Sequence, residues 1–374
     1  MKWTFKPTHL IGPILAVLAG WVYGRTLSSG AYPDDSALLI AQFSGLLGLD
    51  SVAHPLWAWA LKPFRWLVRG DLARAYNVAS LVFGAVDVGL CYHLVQSAVR
   101  RWLAEEGVQS ARVAGVAAVL AGVGAAGFLA FCIPYWVISN RAYAESFGLL
   151  LLMGLAALLQ VYTRSFRPIW LWLWAFLYAV CLVESAVLFV FAPLFGLYLL
   201  VAMWRAQRLE VRTLLPAALC GLIGWGVYLW VAWHYARTET ARLYEVDHLW
   251  PALWEILKMQ YRQVLQGLPK VGWLLVGLVT VVPWLTALLV GRRALNDERD
   301  WSFYLLHLVM TAVLMAVLFN TAISPWGLLG FSLIVVTPYL LAAACFGYLV
   351  AYWFLLPMNW GGPLEDRPVL RGMR

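Results

Sequence analysis

Charge is scarce in this sequence. Lys, Arg, Asp and Glu together make up 12% of the 374 residues, about half of what a soluble globular chain carries (about 25%). A chain so poor in charge and 63% hydrophobic cannot solvate a globular surface, and its composition is that of a membrane protein. Cysteine is sparse too. The five cysteines, at 91, 132, 181, 220 and 345, all fall inside apolar runs, which excludes a disulfide framework and any metal-ligand spacing and leaves them as small buried hydrophobes. No glycine-rich phosphate loop, internal repeat or linker to a separate soluble domain is present, so the chain reads as a single membrane domain over 1–374. The net charge of +8 is spread through short loops. That distribution fits topology and anionic lipid, and no nucleic-acid partner.

What the chain has in abundance is apolar length. A spanning helix needs roughly 20 apolar residues, and such runs occur near 9–27, 76–97, 113–133, 146–162, 213–234, 271–291, 302–321 and 329–354. The block 169–203 is too long for one upright helix. Glu184-Ser185 and Pro193 interrupt it, so two short helices or a re-entrant pair are expected. The total is about ten membrane segments. Lys2, Lys6 and Arg25 flank the first run, which reads as an uncleaved first helix rather than a cleavable signal. The 22 Trp and 17 Tyr suit anchoring at the bilayer interfaces.

Positive charge sets the expected orientation. Arg100, Arg101 and Arg112, Arg164 and Arg167, Arg205, Arg208 and Arg212, and Arg292, Arg293 and Arg299 crowd the short connections on one side. That side is expected to be cytoplasmic, with both termini, in a cell (inner or plasma) membrane. The loops 28–75 and 235–270, and the short 134–145, then face outward. Within the second, "LWPALWEILKMQYRQVLQGLP" places Trp250, Leu253, Trp254, Leu257, Tyr261, Val264 and Leu265 at spacings of three and four. This is an amphipathic helix suited to the outer interface.

The polar residues that remain are few enough to consider singly. Asp34 and Asp35 open an apolar stretch, where Asp35 or Ser36 could cap a helix from Ala37 to Leu47. A carboxylate at a membrane face can also act as a general base; spacing alone favours capping. His54-Pro55 is a weak signal by itself. Asp87, Glu145, Glu184 and His307 lie in or near spans, where an ionisable group is costly and faces a cavity or a partner. A helix-packing hydrogen bond is the expectation for Asp87 and His307. For Glu145, beside Arg141 at a span edge, an outer-face site is as good a reading.

Four stretches carry a resemblance. "DDSALLIAQFSGLLGLDSVAHPLW" is similar to the opening of a bacterial multi-span family grouped with GT-C glycosyltransferases and related to protein O-mannosyltransferases, through Asp35, Ser36, Ile40, Ala41, Ala53, His54 and Pro55. "AYNVASLVFGAV" resembles it through Asn77 and Ser80, "YWVISNRAYAESFGLLLL" through Trp136, Ser139 and Glu145, and "LWEILKMQYRQVL" through Trp254, Gln260, Tyr261 and Arg262. Ala37-Leu38 stand where the family has a Glu, and Leu56 and Trp57 where it has Pro and Gly after His-Pro.

The resemblance implies a GT-C-like all-α bundle and an enzyme that moves a sugar from a polyprenyl-phosphate-type donor to a protein or glycan acceptor on the outer face. It implies no nucleotide and no cofactor; the Asp34-Asp35 pair alone is weak evidence for a divalent metal. Carried over, Asp35 is the catalytic base and His54 orients it or binds the sugar. Arg262 and Arg141, with Lys258 behind them, meet the leaving phosphate, and Glu145, Asp34 and Tyr261 complete the binding surface. Two alternatives stand beside this one: a non-catalytic membrane subunit on a degenerate scaffold, and a transporter built around Asp87, Glu184 and His307.

Overall fold

In lipid no water is available to backbone N–H and C=O groups, so an apolar chain of this kind folds into helices that satisfy those groups internally. A computed structural model describes residues 8–32, 35–45, 53–68, 70–105, 111–243, 245–266, 309–317 and 333–359, and all regular structure among them is helical. In chain order the helices are α1 (Thr8–Arg25), α2 (Asp35–Phe43), α3 (Pro55–Ala60), α4 (Lys62–Leu67), α5 (Leu72–Glu105), α6 (Ala111–Phe131), α7 (Ile133–Asn140), α8 (Ala144–Ser165), α9 (Pro168–Leu182), α10 (Val187–Arg205), α11 (Val211–Tyr235), α12 (Glu239–Leu243) and α13 (Leu249–Gln266). Residues 309–317 are helical, and α14 (Leu333–Asn359) ends the described chain.

Six of these, α5, α6, α8, α10, α11 and α14, are long and apolar enough to cross a membrane. That is the pattern of a multi-pass membrane protein. The fuller set of ten expected segments includes 271–291, which lies outside the described residues, and 302–321, of which only 309–317 are described; α1 occupies the expected first run without being among the six. The block 169–203 is two helices, α9 and α10, broken over 183–186. The stretches expected as long loops hold structure: α2 to α4 in the first and α12 with the amphipathic α13 in the second. The short 134–145 connection is mostly the helix α7.

The bundle is held by small residues. α6 buries Ala114, Ala117, Ala118, Ala121, Gly122, Ala125 and Ala126, a stripe at spacings of three and four that lets neighbouring backbones approach closely. A Cβ at Gly347 would stand 2.5 Å from the Ala121 carbonyl, and one at Gly122 would meet the Tyr92 ring at 2.7 Å. α5 packs against α1, α6 and α8, α6 against α14, and α9 against α11.

The long helices give the molecule two distinct ends. α5, α8 and α10 run the same way, because their C-terminal residues Arg101, Arg164 and Arg205 line one cavity. From Asn77 to Arg101, Glu145 to Arg164 and Val187 to Arg205 the rise is roughly 27–36 Å, the thickness of a hydrocarbon core. α1 starts at the basic end, where Tyr92 donates to the Thr8 carbonyl at 3.2 Å. α14 runs towards it, passing Phe128 with Phe346 and then Gly124 with Val350. At the opposite end a second, smaller core seats the short helices. Ile40, Trp57, Leu61, Tyr76 and Phe83 are buried together there, with the Trp57 ring edge-on to Phe43 at 5.1 Å.

Candidate functional site

The break between α9 and α10 exposes carbonyls that a continuous helix would have used. Gln260 from α13 donates to the Val183 carbonyl at 3.0 Å and lies 3.3 Å from that of Leu182. Tyr228 from α11 reaches the Leu182 carbonyl at 2.7 Å. Braced by these two residues, the turn points Glu184 inward, and its side chain has no exposed surface.

Glu184 is satisfied entirely by the His54-Pro55 segment. Its Oε2 accepts from the backbone N–H groups of Leu56 at 2.7 Å and Trp57 at 3.1 Å. Its Oε1 lies 3.2 Å from His54 Nδ1. Pro55 has no N–H, so Leu56 and Trp57 carry the first free donors of α3, and His54 makes no side-chain cap of its own. A carboxylate from a distant helix break therefore does the capping. His54 itself sits in the left-handed region (φ 53°, ψ 51°), a conformation that costs energy for a non-glycine residue and persists where surrounding contacts enforce it. Glu184 supplies those contacts.

Because a carboxylate oxygen only accepts, Nδ1 is the donor in this pair and Nε2 faces away from it. Burial pulls the His54 pKa down. The hydrogen bond and charge of Glu184, with the charge of Glu145 added, more than offset this and raise it above its ordinary 6.5. The imidazole is 21% exposed, so the ring joins a closed carboxylate to a more open surface.

Two further carboxylates stand nearby. Glu145, in the first turn of α8, is within electrostatic reach of His54, Asp35 and Glu184. Its Oε2 is buried with no hydrogen-bond partner among the described residues. Asp35 is exposed in the first turn of α2, already inside the helix with Ser36 rather than capping it. α2 stops at Phe43, short of the expected Leu47, where Gly45 takes up a positive φ of 81°.

α5 supplies the frame. Asn77 donates to the carbonyls of Ser28 at 2.9 Å and Gly30 at 3.1 Å. Ser80 Oγ is 3.2 Å from both the N–H and the carbonyl of Tyr143. One face of α5 thus holds the strand of chain leading to Asp35 and the one leading to Glu145. The Arg141 guanidinium lies 3.3 Å over the Tyr32 ring, tying the same two segments together at the surface.

The remaining expected residues are placed apart. Asp34 lies outside the described residues, as does His307. Lys258 pairs with Glu255 at 3.3 Å on α13. Tyr261 and Arg262 are exposed on α13, outside hydrogen-bonding range of the acid–histidine group. Within the "QYR" stretch it is Gln260 that faces the site. Asp87 is a buried helix-packing residue that accepts from Tyr135 at 3.1 Å. Among the described residues no three His, Cys, Asp or Glu side chains gather closely enough to hold a metal ion. Glu184, Gln260 and Tyr228 are the structural participants that sequence reasoning left out of the site. Glu184 had a signal as an acid interrupting an apolar block, and Gln260 as a member of the "QYR" resemblance; Tyr228 had none.

No family model matches the chain, and neither the curated proteins nor the solved structures contain a significant match to it.

Proposed function

We propose that this chain is an integral membrane glycosyltransferase that takes a sugar from a polyprenyl-phosphate-type donor and passes it to an acceptor on the outer face of the membrane. The observation that carries the reading is the grouping of Asp35, His54 and Glu145, drawn from three separate segments, at the end of the bundle opposite Arg101, Arg164 and Arg205. With the basic end cytoplasmic, this group faces outward, where a lipid-anchored donor presents its phosphate and sugar. In the reaction an acceptor hydroxyl oxygen attacks the anomeric carbon. The bond from that carbon to the phosphate oxygen breaks with its electron pair leaving on the phosphate, and the hydroxyl proton passes to the Asp35 carboxylate. Arg141 is the cation proposed for the departing phosphate, and Arg262, Lys258 and Tyr261 on α13 would meet a donor that lies over that helix. Glu145 and, outside the described residues, Asp34 are the further groups proposed for sugar and acceptor. His54, held by Glu184, presents Nε2 to a sugar hydroxyl.

The test uses the purified full chain, a panel of polyprenyl-phosphate hexoses and hydroxyl-bearing peptide and glycan acceptors, with release of polyprenyl phosphate as the readout. Asp35→Asn removes the proton acceptor and keeps the side-chain size. General-base assistance is worth roughly 10²–10⁴-fold, so release should fall by about two orders of magnitude or more, with the melting temperature unchanged. Asp34→Asn should cost far less. Parent-like release by Asp35→Asn removes Asp35 as base.

One observation favours a second reading, a non-catalytic subunit. All three hydrogen bonds of Glu184 are spent on holding α3 and His54. Absence of release with every pairing of donor and acceptor in the panel, from parent protein that is folded, would select it. The transporter reading lacks such an observation, since Asp87 and Glu184 have separate partners.

A further inference from the structure

The end of the bundle remote from Glu184 holds a cavity of about 530 Å³ between the C-terminal turns of α5, α8 and α10. This volume falls within the range of small-molecule sites (roughly 300–1,000 Å³). Arg101, Arg164 and Arg205 line it, one from each helix, and no carboxylate is among its described lining residues. All three arginines are exposed. Deeper in, Gln160 lies 3.4 Å from the Leu94 carbonyl, and the Tyr198 hydroxyl is 3.4 Å from that of Thr163. These contacts fix two polar side chains in the wall. Apart from Ser97 the rest of the wall is apolar, with Trp102 the largest member.

Helix C-termini favour arginine in their last turn for reasons of their own. That accounts for each guanidinium singly. It does not account for Arg164 and Arg205, from two different helices, turning to one hollow, an arrangement that an anion between them would favour. The depth of the hollow narrows the choice of anion. It sits about one hydrocarbon thickness from the acid–histidine group, at the level where headgroups of the other leaflet lie. Its combination of cationic rim and apolar wall matches an amphiphile better than a bare ion. Basic pockets between spanning helices are suited to lipid headgroups for this reason.

We infer that this cavity binds the phosphate of an anionic phospholipid, with Arg164 and Arg205 as its main ligands and Arg101 at the rim. The inference stands independently of the sugar-transfer reading, because it concerns the opposite end of the molecule and needs no activity as readout.

The experiment is lipid retention by the detergent-solubilised full chain, measured by native mass spectrometry. Phosphatidylglycerol is the probe and phosphatidylcholine the zwitterionic comparison. The parent protein should retain one phosphatidylglycerol in clear preference to phosphatidylcholine. Arg164→Gln with Arg205→Gln should weaken that retention roughly tenfold or more, while Arg164→Lys with Arg205→Lys should keep most of it. Arg208→Gln with Arg212→Gln, the same change in net charge outside the cavity, should leave it intact. Equal losses in the two glutamine pairs would assign the binding to diffuse surface charge and overturn the proposal, as would equal retention of the two lipids by the parent. If inorganic phosphate at the same phosphate concentration displaces phosphatidylglycerol completely, the cavity takes a soluble anion and the lipid assignment falls. Unchanged melting temperatures of the arginine variants accompany the expected result, since none of the substituted side chains is buried.

Discussion

Glu184 and His54 stand 130 positions apart in the chain and 3.2 Å apart in the fold. Between them they join the α9–α10 break to the start of α3, so the group at this end of the bundle depends on one buried carboxylate. Glu184→Ala would leave the Leu56 and Trp57 N–H groups without an acceptor. An orphaned buried donor costs about 1–3 kcal/mol, so the melting temperature of the variant in detergent should drop by several degrees. Glu184→Gln keeps one acceptor oxygen for the backbone but turns an amide N–H₂ towards His54. It should destabilise less and move the imidazole proton from Nδ1 to Nε2, visible in ¹⁵N spectra of a histidine-labelled sample. A Glu184→Ala protein that melts with the parent would show that the capping contributes nothing.

The same pair makes stability depend on pH. The folded pKa of His54 lies above its ordinary 6.5, burial acting downwards and Glu184 and Glu145 more strongly upwards. For a group whose pKa is raised by folding, the stabilisation is complete below the unfolded value and is lost as pH rises through the folded value. His54→Asn is the matched control. Asn tolerates the left-handed backbone and keeps a donor for Glu184, but does not titrate. The melting-temperature difference between parent and variant should be largest and constant below about pH 6.5, and shrink above it. A difference that grows towards alkaline pH would reverse the assignment.

Packing gives a prediction that depends on no functional reading. A Cβ at Gly224 on α11 would run into the Phe176 carbonyl of α9 and stand 3.1 Å from Ala179 Cβ, whereas one at Gly226 meets nothing within 4 Å. Over-packing of this kind costs about 1–3 kcal/mol. Gly224→Ala should lower the melting temperature. Gly226→Ala should leave it level or raise it slightly, because alanine is the better helix former. Equal behaviour of the two would mean that α9 and α11 are not in close contact.

The helices themselves could be read from the sequence because apolar length is a one-dimensional property. α6, α8 and α11 fall within two or three residues of the runs at 113–133, 146–162 and 213–234. The split of 169–203 was legible for the same reason, since an acid-serine pair cannot continue an apolar helix without a partner. The partner was not legible. Nothing local connects Glu184 with the N–H groups of Leu56 and Trp57, since only tertiary packing brings a helix break beside a proline-led helix start. Gln260 shows the limit of periodicity. The stripe of Trp, Leu and Tyr on α13 marks an apolar side for the outer interface, but it does not say which residues pack on the bundle. The structure buries Ala252, Leu253, Ile256 and Gln260 and leaves Trp250, Trp254 and Tyr261 more than three-fifths exposed. A polar residue that satisfies two orphaned carbonyls outweighs large rings, which can be accommodated by lipid.

That rotation of α13 sets the terms for Arg262. At 3.6 residues per turn it stands roughly 200° round the helix axis from Gln260, so Gln260 faces the Glu184 turn and Arg262 the outer side. If Arg262 serves a donor phosphate, the donor must lie over α13 rather than beneath it. The two residues then separate cleanly by mutation. Gln260→Leu should lower the melting temperature, because the carbonyls of Leu182 and Val183 lose their shared donor. Arg262→Ala should leave the melting temperature unchanged, since the side chain is exposed. Its loss should weaken binding of a polyprenyl-phosphate hexose by roughly tenfold or more, the worth of a hydrogen bond to a charged group. Arg262→Lys retains the charge without the planar fork and should fall between parent and alanine. Donor affinity measured by titration into the purified protein decides the point. An Arg262→Ala protein that binds donor as tightly as the parent removes Arg262 from the phosphate site and leaves Arg141, stacked on Tyr32 three residues before Asp35, as the arginine proposed for it.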